Sequence, residues 1–249
     1  MSGHSKWATI KHKKGAQDKA RGKLFAKLIR QIEVASREGG GDINANATLR
    51  TMFQKARDAS VPIDTINRAI KRGTGELEGV RYEAVTYEGY APGGVAVIVE
   101  CLTDNRNRTS ADVRAAFSKN GGAIAEPGSV AWQFSRRGSV TLSKKYDEDQ
   151  VTMVALSAGA DDVIDQGEEW EVVCAPSDLA SLKGAFEEAG MECISSDLVL
   201  QASNSISIDS EAEARKVLKL IDALDDLDDV QNVYSNVDIP DSVLELVGD

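Results

Sequence analysis

The hydrophobic period of the chain changes at a glycine-rich segment. Before this segment, apolar residues recur three to four positions apart in three stretches, which is the spacing of amphipathic helices. After it, apolar and polar residues alternate, as they do in half-buried strands. The segment reads Gly73-Thr74-Gly75-Glu76-Leu77-Glu78-Gly79, a composition typical of a linker. The sequence therefore predicts a helical N-terminal domain followed by domains that contain sheets.

Three helices account for the N-terminal domain. The first is expected from about residue 16 to 37, with the glycines at 39–41 ending it. Asn44 or Asn46 can cap a second helix that runs to about Ala59, and a third starts at Pro62 and ends at Gly73. The packing faces are expected to be Leu24, Phe25, Leu28, Ile29 and Ile32 in the first helix, Leu49, Met52, Phe53 and Ala56 in the second, and Ile63, Ile66 and Ile70 in the third. Arg68, Lys71 and Arg72 are expected on the solvent side.

Strands dominate the rest of the chain. Two of them, about 82–90 and 95–102, flank the turn Ala91-Pro92-Gly93-Gly94, and a helix is expected to open at Thr109 with a capping box to Asp112. From about residue 138 to 204 the expected order is strand, helix, strand, strand, helix, strand, which is the ferredoxin-like pattern. The following strand 205–208, helix 210–224 and strand 231–236 are expected to complete the sheet begun at residue 82. Residues 238–249 are expected to fray.

The predicted fold class is thus a multi-domain α and β protein. It has an N-terminal three-helix bundle and two α+β domains, one of them ferredoxin-like and inserted into the other. The expected boundaries are 1–78 for the basic arm and three-helix domain, 79–136 with 205–249 for the first α+β domain, and 137–204 for the inserted domain.

Charge divides the chain as sharply as periodicity does. The formal net charge is −11, yet the first thirty residues hold nine lysines or arginines and one acid. Residues 1–80 hold 16 of the 29 basic residues and 8 of the 40 acidic ones, which leaves a net charge of −19 for residues 81–249. A cationic N-terminus on an acidic body predicts contact with a polyanion through that end alone.

The candidate nucleic-acid-binding residues lie in two segments. The first is the arm and the helix face that follows it, with Lys6, Trp7, Lys11, His12, Lys13, Lys14, Lys19, Lys23, Lys27 and Arg30. Its polar composition suits ordering on RNA, and Trp7 can stack on a base. The alternative is a solvated tail with Trp7 folded back, and a lysine-rich helix face that simply meets water.

The second segment is the loop from Asp104 to Arg108. Arg106 and Arg108 stand ahead of a helix N-terminus, where backbone donors and the helix dipole can hold an anion. The alternative is a structural turn in which these arginines pair with acids of the body. The functional interpretation requires the loop to lie on the same surface as the N-terminal bundle.

Several classes of site and location are disfavoured. The longest apolar run, residues 95–99, is too short for a membrane span, and the N-terminus has no apolar core for secretion, so a cytoplasmic protein is expected. We expect no metal and no cofactor, because the only two histidines lie in the arm, the three cysteines are widely spaced, and Glu88, Glu100 and Asp104 fit surface acids better than a metal pair. We expect no enzymatic activity, although a carboxylate–metal nuclease is a rival and a protein-interaction scaffold is a third option.

Four motifs resemble the YebC family over nearly the whole chain. They are Gly3-His4-Ser5-Lys6-Trp7 with the basic arm after it, residues 87–94 (YEGYAPGG), residues 100–108 (ECLTDNRNR) and residues 127–130 (PGSV). The family includes bacterial proteins named as probable transcriptional regulators and a mitochondrial translational activator of cytochrome oxidase subunit one. The resemblance implies a three-helix N-terminal domain, two α+β domains, and a role either at DNA or at the ribosome during synthesis of proline-rich stretches.

The sequence and the resemblance together predict a non-enzymatic regulator of gene expression that binds nucleic acid through its basic N-terminal domain. An RNA-binding, ribosome-associated translation factor is favoured, because a flexible cationic arm with one aromatic suits folded RNA and no helix-turn-helix is evident. The alternative is a DNA-binding transcriptional regulator acting at promoters. The expected partners are ribosomal RNA or promoter DNA and the ribosome. The oligomeric state is open, with a monomer favoured.

Overall fold

The computed structural model describes residues 17–248 of the chain, with side chains for residues 21–247. It begins with three helices, α1 (Gln17–Gly39), α2 (Ala47–Asp58) and α3 (Ile63–Thr74). Of the two asparagines expected to cap α2, Asn46 does so, and its side-chain oxygen accepts a hydrogen bond from the Leu49 backbone N–H at 3.0 Å. The three predicted helices are confirmed, and they share one core of Leu28, Ile32, Ala35, Leu49, Ala56, Val61, Ile66 and Ala69.

The end of α3, where it contacts α1, differs from the prediction at Gly73 and Arg72. Gly73 lies inside α3 instead of ending it, and Gly75, with φ at +84°, follows the helix. A Cβ at Gly73 would lie 2.5 Å from the Glu33 carbonyl oxygen, so glycine is needed here for close approach of the two helices. Arg72 is not on the solvent side, because its Nε donates to the buried Glu33 carboxylate at 2.6 Å.

Two apolar residues expected to pack are largely exposed. Leu24 is 46% and Ile63 40% exposed. Ile63 is the first residue of α3, whereas Leu24 lies in the second turn of α1 beside Phe25, which packs against the shared core. The packing faces are therefore narrower than the periodicity indicates.

Replacement of Gly73 by alanine tests the close approach of α1 and α3. We expect Gly73→Ala to lower the free energy of unfolding by roughly 1–3 kcal/mol, because the added methyl group overlaps the α1 backbone. Gly184 is a matched control, since it also lies inside a helix, residues 179–188, but has no atom within 4 Å of an added Cβ. Gly184→Ala should stabilise the protein by about 0.5–1 kcal/mol through helix propensity. Urea denaturation measures both, and equal effects would contradict the assigned role of Gly73.

Helices and strands alternate through the rest of the chain. In order they are β1 (Glu83–Tyr90), β2 (Ala96–Thr103), α4 (Arg106–Lys119), β3 (Ala123–Ala125), β4 (Phe134–Ser143), α5 (Glu148–Ser157), β5 (Asp162–Asp165), β6 (Glu169–Cys174), α6 (Leu179–Glu188), β7 (Cys193–Ala202), β8 (Ile206–Ser207), α7 (Glu211–Asp225), β9 (Val230–Ser235), β10 (Val237–Asp238) and α8 (Asp241–Gly248). The prediction of a mixed α and β protein is confirmed.

The strands form two four-stranded antiparallel sheets and one short pair. The first sheet has the order β3-β1-β2-β9, and the second has the order β5-β6-β4-β7. β1 and β2 form the predicted hairpin, and glycine is required in its turn because Gly93 and Gly94 have φ of +76° and +78°. β8 does not join the first sheet, contrary to expectation, and pairs with β10 instead.

Each sheet has its own core. One face of the first sheet is buried with residues of α4, α7 and α8, among them Val97, Val99, Phe117, Leu220 and Leu244. The second sheet is buried with residues of α5 and α6. The opposite face of β2, at Ala96 and Ile98, packs with Val130 and Phe134 and thereby joins the two sheets.

Two further predictions differ from the structure. α4 begins at Arg106 and not at Thr109, because Asn105 is extended and caps it by accepting a hydrogen bond from the Arg108 backbone N–H at 3.1 Å. Residues 238–249 were expected to be partly frayed, but 241–248 form α8, which buries Val243, Leu244 and Val247 in the core of the first sheet. The apolar stripe of α8 is short and has acids around it, so the sequence pattern did not indicate a packed helix.

Candidate nucleic-acid interface

The structure gives a geometry for five of the predicted binding residues. Six others, Lys6, Trp7, Lys11, His12, Lys13 and Lys14, lie outside the described residues. Lys19 falls in α1, but its side chain is outside the described set. The five with described side chains are Lys23, Lys27, Arg30, Arg106 and Arg108.

The cationic face of α1 contacts an acidic turn near the other end of the chain. Lys23 forms an ion pair with Asp226, and Lys27 Nζ lies 2.8 Å from an Asp225 carboxylate oxygen. Arg30 donates to the backbone carbonyl of Asp228 and lies 3.6 Å from the Asp229 carboxylate. We call residues 225–229 the acidic turn. All three described cations of this face are therefore held by carboxylate or carbonyl oxygens of the acidic turn.

The acidic turn is fixed by apolar residues on both sides of it. Leu224 at the end of α7 and Val230 at the start of β9 are fully buried, and Leu227 packs against the same core. These anchors leave Asp225, Asp226 and Asp228 directed outward. The run of acids in the sequence therefore forms a compact cluster of negative charge, anchored by buried apolar residues.

Asp229 is the exception, because its side chain is only 6% exposed. One carboxylate oxygen, Oδ2, accepts hydrogen bonds from Thr109 Oγ1 at 2.7 Å, Arg108 Nη2 at 3.0 Å and Thr103 Oγ1 at 3.1 Å. Burial alone would raise the pKa of Asp229, but the bonds from Thr109, Arg108 and Thr103 together hold the pKa below its ordinary value. The buried carboxylate is consequently ionised and joins β2, α4 and α1.

Asp229 brings the two predicted binding segments together. Arg30 approaches one of its oxygens and Arg108 donates to the other, so the 104–108 segment lies on the same surface as α1. Arg108 also pairs with Asp104 at 2.6 Å. Arg106 is more open, being 64% exposed and 3.7 Å from Glu83. The 104–108 segment therefore meets the condition for the functional interpretation, which is that it lies on the same surface as the N-terminal bundle. Arg108 is nevertheless paired with acids of the body.

A second contact holds the helical part to the second sheet. The Lys55 side chain on α2 pairs with Asp197 on β7. Burial, and then the nearby Lys183 charge, lower the pKa of Lys55. A cleft of about 940 Å³ lies beside this pair, lined by residues of α1, α2, β7 and β9. Sequence reasoning missed both contacts of the helical part, since the paired residues are far apart in the chain.

The expected surface acids differ in their environments. Glu88 is buried, and its carboxylate accepts hydrogen bonds from the backbone N–H groups of Gly128, Val130 and Ala131 at 2.7–2.9 Å. It therefore shapes the loop between the two sheets and is not the surface acid that was expected. Glu100 is half-buried and pairs with Arg136 at 3.1 Å.

Among residues 17–248, no group of three or more His, Cys, Asp and Glu side chains could hold a metal ion, and no described helix is long and apolar enough to cross a membrane. Cys101, Cys174 and Cys193 are free thiols. Burial, followed by the charges of Asp229 and Glu100, raises the pKa of Cys101 to about 12, so this thiol is unreactive.

The chain matches one family along almost its full length. Residues 5–76 match the TACO1/YebC protein N-terminal domain, and residues 82–237 match the TACO1/YebC second and third domain. The chain belongs to the TACO1/YebC family. The family resemblance inferred from the sequence motifs is thereby confirmed.

Relatives of the TACO1/YebC chain are similar from end to end. It is 56% identical to a probable transcriptional regulatory protein of Thermobifida fusca over 246 residues, covering 98% of each chain, and 52% identical to one of Halothermothrix orenii over 248 residues, again covering 98% of each. It also resembles the crystal structure of a conserved hypothetical protein from Aquifex aeolicus, with 43% identity and a TM-score of 0.84 over 90% of this chain and 93% of that one.

The pKa of Asp229 predicts how its substitution responds to pH. A folded-state pKa below the ordinary value of 3.8 means that the ionised carboxylate stabilises the fold above that value and loses this contribution as pH falls below it. We expect Asp229→Asn to lower the free energy of unfolding by about 1–3 kcal/mol at neutral pH, because three donors lose a charged acceptor. The deficit should shrink as the pH falls below 3.8, because the native carboxylate is then protonated through its lowered pKa. Urea denaturation at neutral pH and over a series below pH 3.8 measures this, and a deficit independent of pH would contradict the assignment.

Proposed function

We propose that this TACO1/YebC chain is a non-enzymatic, nucleic-acid-binding regulator of gene expression that makes contact through its N-terminal end. The observation that carries the proposal is the division of charge, with net +8 in the first thirty residues of a chain whose net charge is −11. Phosphate attracts the first part and repels the rest. The names of the relatives from Thermobifida fusca and Halothermothrix orenii agree with a regulatory role.

RNA is the favoured target. For α1 to enter a DNA groove in the arrangement described, the acidic turn that contacts Lys23, Lys27 and Arg30 would be carried against the phosphates. The arm adds four lysines, within residues 6–14, to the positive charge of the α1 face. A short cationic segment with one tryptophan suits the irregular surfaces and unstacked bases of folded RNA. We therefore propose ribosomal RNA as the target and the arm as the first point of contact.

The proposed domain organisation also separates the basic N-terminal part from the acidic rest of the chain. We propose a basic arm and three-helix domain at 1–78, an α+β domain formed by 79–136 with 205–249, and an inserted ferredoxin-like domain at 137–204. Three observations support the boundaries: the separate cores of the helices and of the two sheets, the β5-β6-β4-β7 strand order, and the pairing of β9 with β2 across the intervening segment. Cytoplasmic location and a monomeric state belong to the same proposal.

Neutralisation of the arm is the direct test of contact. We expect Lys11→Ala, Lys13→Ala and Lys14→Ala together to weaken binding of a short single-stranded RNA and to reduce the salt slope by about 2 units, since each phosphate contact contributes about 0.7 for a single strand. The measurement is fluorescence anisotropy over a salt series. The control removes the same charge elsewhere, through Lys119→Ala, Lys216→Ala and Lys219→Ala, all at exposed positions of α4 and α7. If both triple variants behave alike, the arm is not the contact.

Promoter DNA is the second candidate, favoured by the printed names of the relatives as probable transcriptional regulatory proteins. The two candidates differ in where the protein travels in a sucrose gradient of cell extract. Comigration of the intact chain, but not of the arm variant, with ribosomal particles supports the translation role. If the intact chain stays at the top of the gradient and instead binds promoter fragments, the transcription role takes its place.

A further inference from the structure

The residues proposed to meet phosphate on α1 already have an anionic partner within the chain. We propose that the acidic turn is an internal competitor of nucleic acid, which occupies the cationic face of α1 in the free protein and is displaced when phosphates take its place. The inference rests on the proposed function and adds a regulation of the same site. It follows from the three contacts of Lys23, Lys27 and Arg30 described above.

The acidic turn resembles a short stretch of nucleic-acid backbone in its chemistry. It places four carboxylates within five residues, 225–229. Asp225 and Asp226 also stand at the C-terminal end of α7, where the helix dipole disfavours negative charge and where the last turn contains no basic residue. The cations that offset this local repulsion come from α1, since Lys27 and Lys23 contact these two side chains.

The turn has a fixed base and an exchangeable tip. At the base, Asp229 is buried and bonded to Thr103, Arg108 and Thr109, so it remains with the first sheet. At the tip, the Asp225 and Asp226 side chains are 44% and 58% exposed. Partly exposed ion pairs are weak and are screened by salt, which allows a polyanion with many phosphates to replace them.

The exchange is confined to Lys23 and Lys27. Arg30 lies at the base of the turn, where it contacts the Asp228 carbonyl and the buried Asp229 carboxylate, so it stays with the turn. The pair between Lys55 on α2 and Asp197 on β7 does not involve the tip and is kept during the exchange. Binding is therefore expected to begin at the arm and to extend to α1 by displacement of the turn.

The test compares charge removal inside and outside the contact, in the full-length protein. We expect Asp225→Asn with Asp226→Asn to raise the affinity for a short single-stranded RNA by roughly threefold to tenfold at low salt, because two competing ion pairs of ordinary surface strength are removed. Glu187→Gln with Glu188→Gln removes the same charge from an exposed part of α6 and should change affinity much less. The advantage of the first variant should diminish as salt rises.

Single substitutions in the turn separate competition from general repulsion. Asp228 contacts Arg30 through its backbone carbonyl, which Asp228→Asn retains, whereas Asp225→Asn removes the carboxylate that holds Lys27. Tighter binding by Asp225→Asn than by Asp228→Asn supports the inference. Equal affinities for these two, or for the two double variants, would overturn it while leaving the proposed function intact. If neither the native chain nor any variant binds RNA or DNA, the proposed function itself fails.

Discussion

The arrangement of the protein depends on one buried carboxylate. Asp229 receives hydrogen bonds from Thr103 at the end of β2 and from Thr109 and Arg108 in α4, and it faces Arg30 of α1. A carboxylate that is removed from water must be compensated by donors and positive charge, and here these come from three separate elements. Positioning of the acidic turn against α1 is a consequence, because the turn begins where α7 ends and finishes at Asp229.

This arrangement changes how the charge of the chain is to be understood. From composition alone, the acidic body and the cationic N-terminus are separate surfaces, one repelled by phosphate and the other attracted. In the folded chain they partly meet, because Lys23, Lys27 and Arg30 of α1 contact the acidic turn. The described part of α1 therefore offers a polyanion less unpaired positive charge than its sequence indicates.

Local features of the sequence predicted most of the elements, and long-range contacts account for the errors. Helices α1 to α3 follow from apolar spacing and from Asn46 as a cap, and the β1–β2 hairpin follows from its glycine turn. Gly73 was predicted to end α3. It instead allows close contact with Glu33, which no local pattern reveals. Thr109 looked like a cap because its hydroxyl is of the right type, but that hydroxyl bonds to Thr103 and Asp229 instead.

The candidate binding residues, too, could be predicted from local sequence only in part. Lysines and arginines could be identified as a cluster, but their partners lie far along the chain, as Asp225 follows Lys27 by 198 positions. Periodicity carries no information about such pairs. The available signal was the acidic run at 225–229 in a chain with a basic N-terminus, and it supported repulsion of phosphate and internal pairing equally well.

The most direct measurement is the reactivity of Lys23 and Lys27 toward an amine-acylating reagent in the free protein, read by mass spectrometry over a salt series. Exposed Lys71 on α3 is the internal reference. The account predicts that Lys23 and Lys27 react more slowly than Lys71 at low salt and that added salt reduces this difference in rate. Added RNA should keep both lysines slow to react, because phosphates then take the place of the acidic turn. Equal reactivity of the three lysines at low salt would contradict the contact between α1 and the acidic turn.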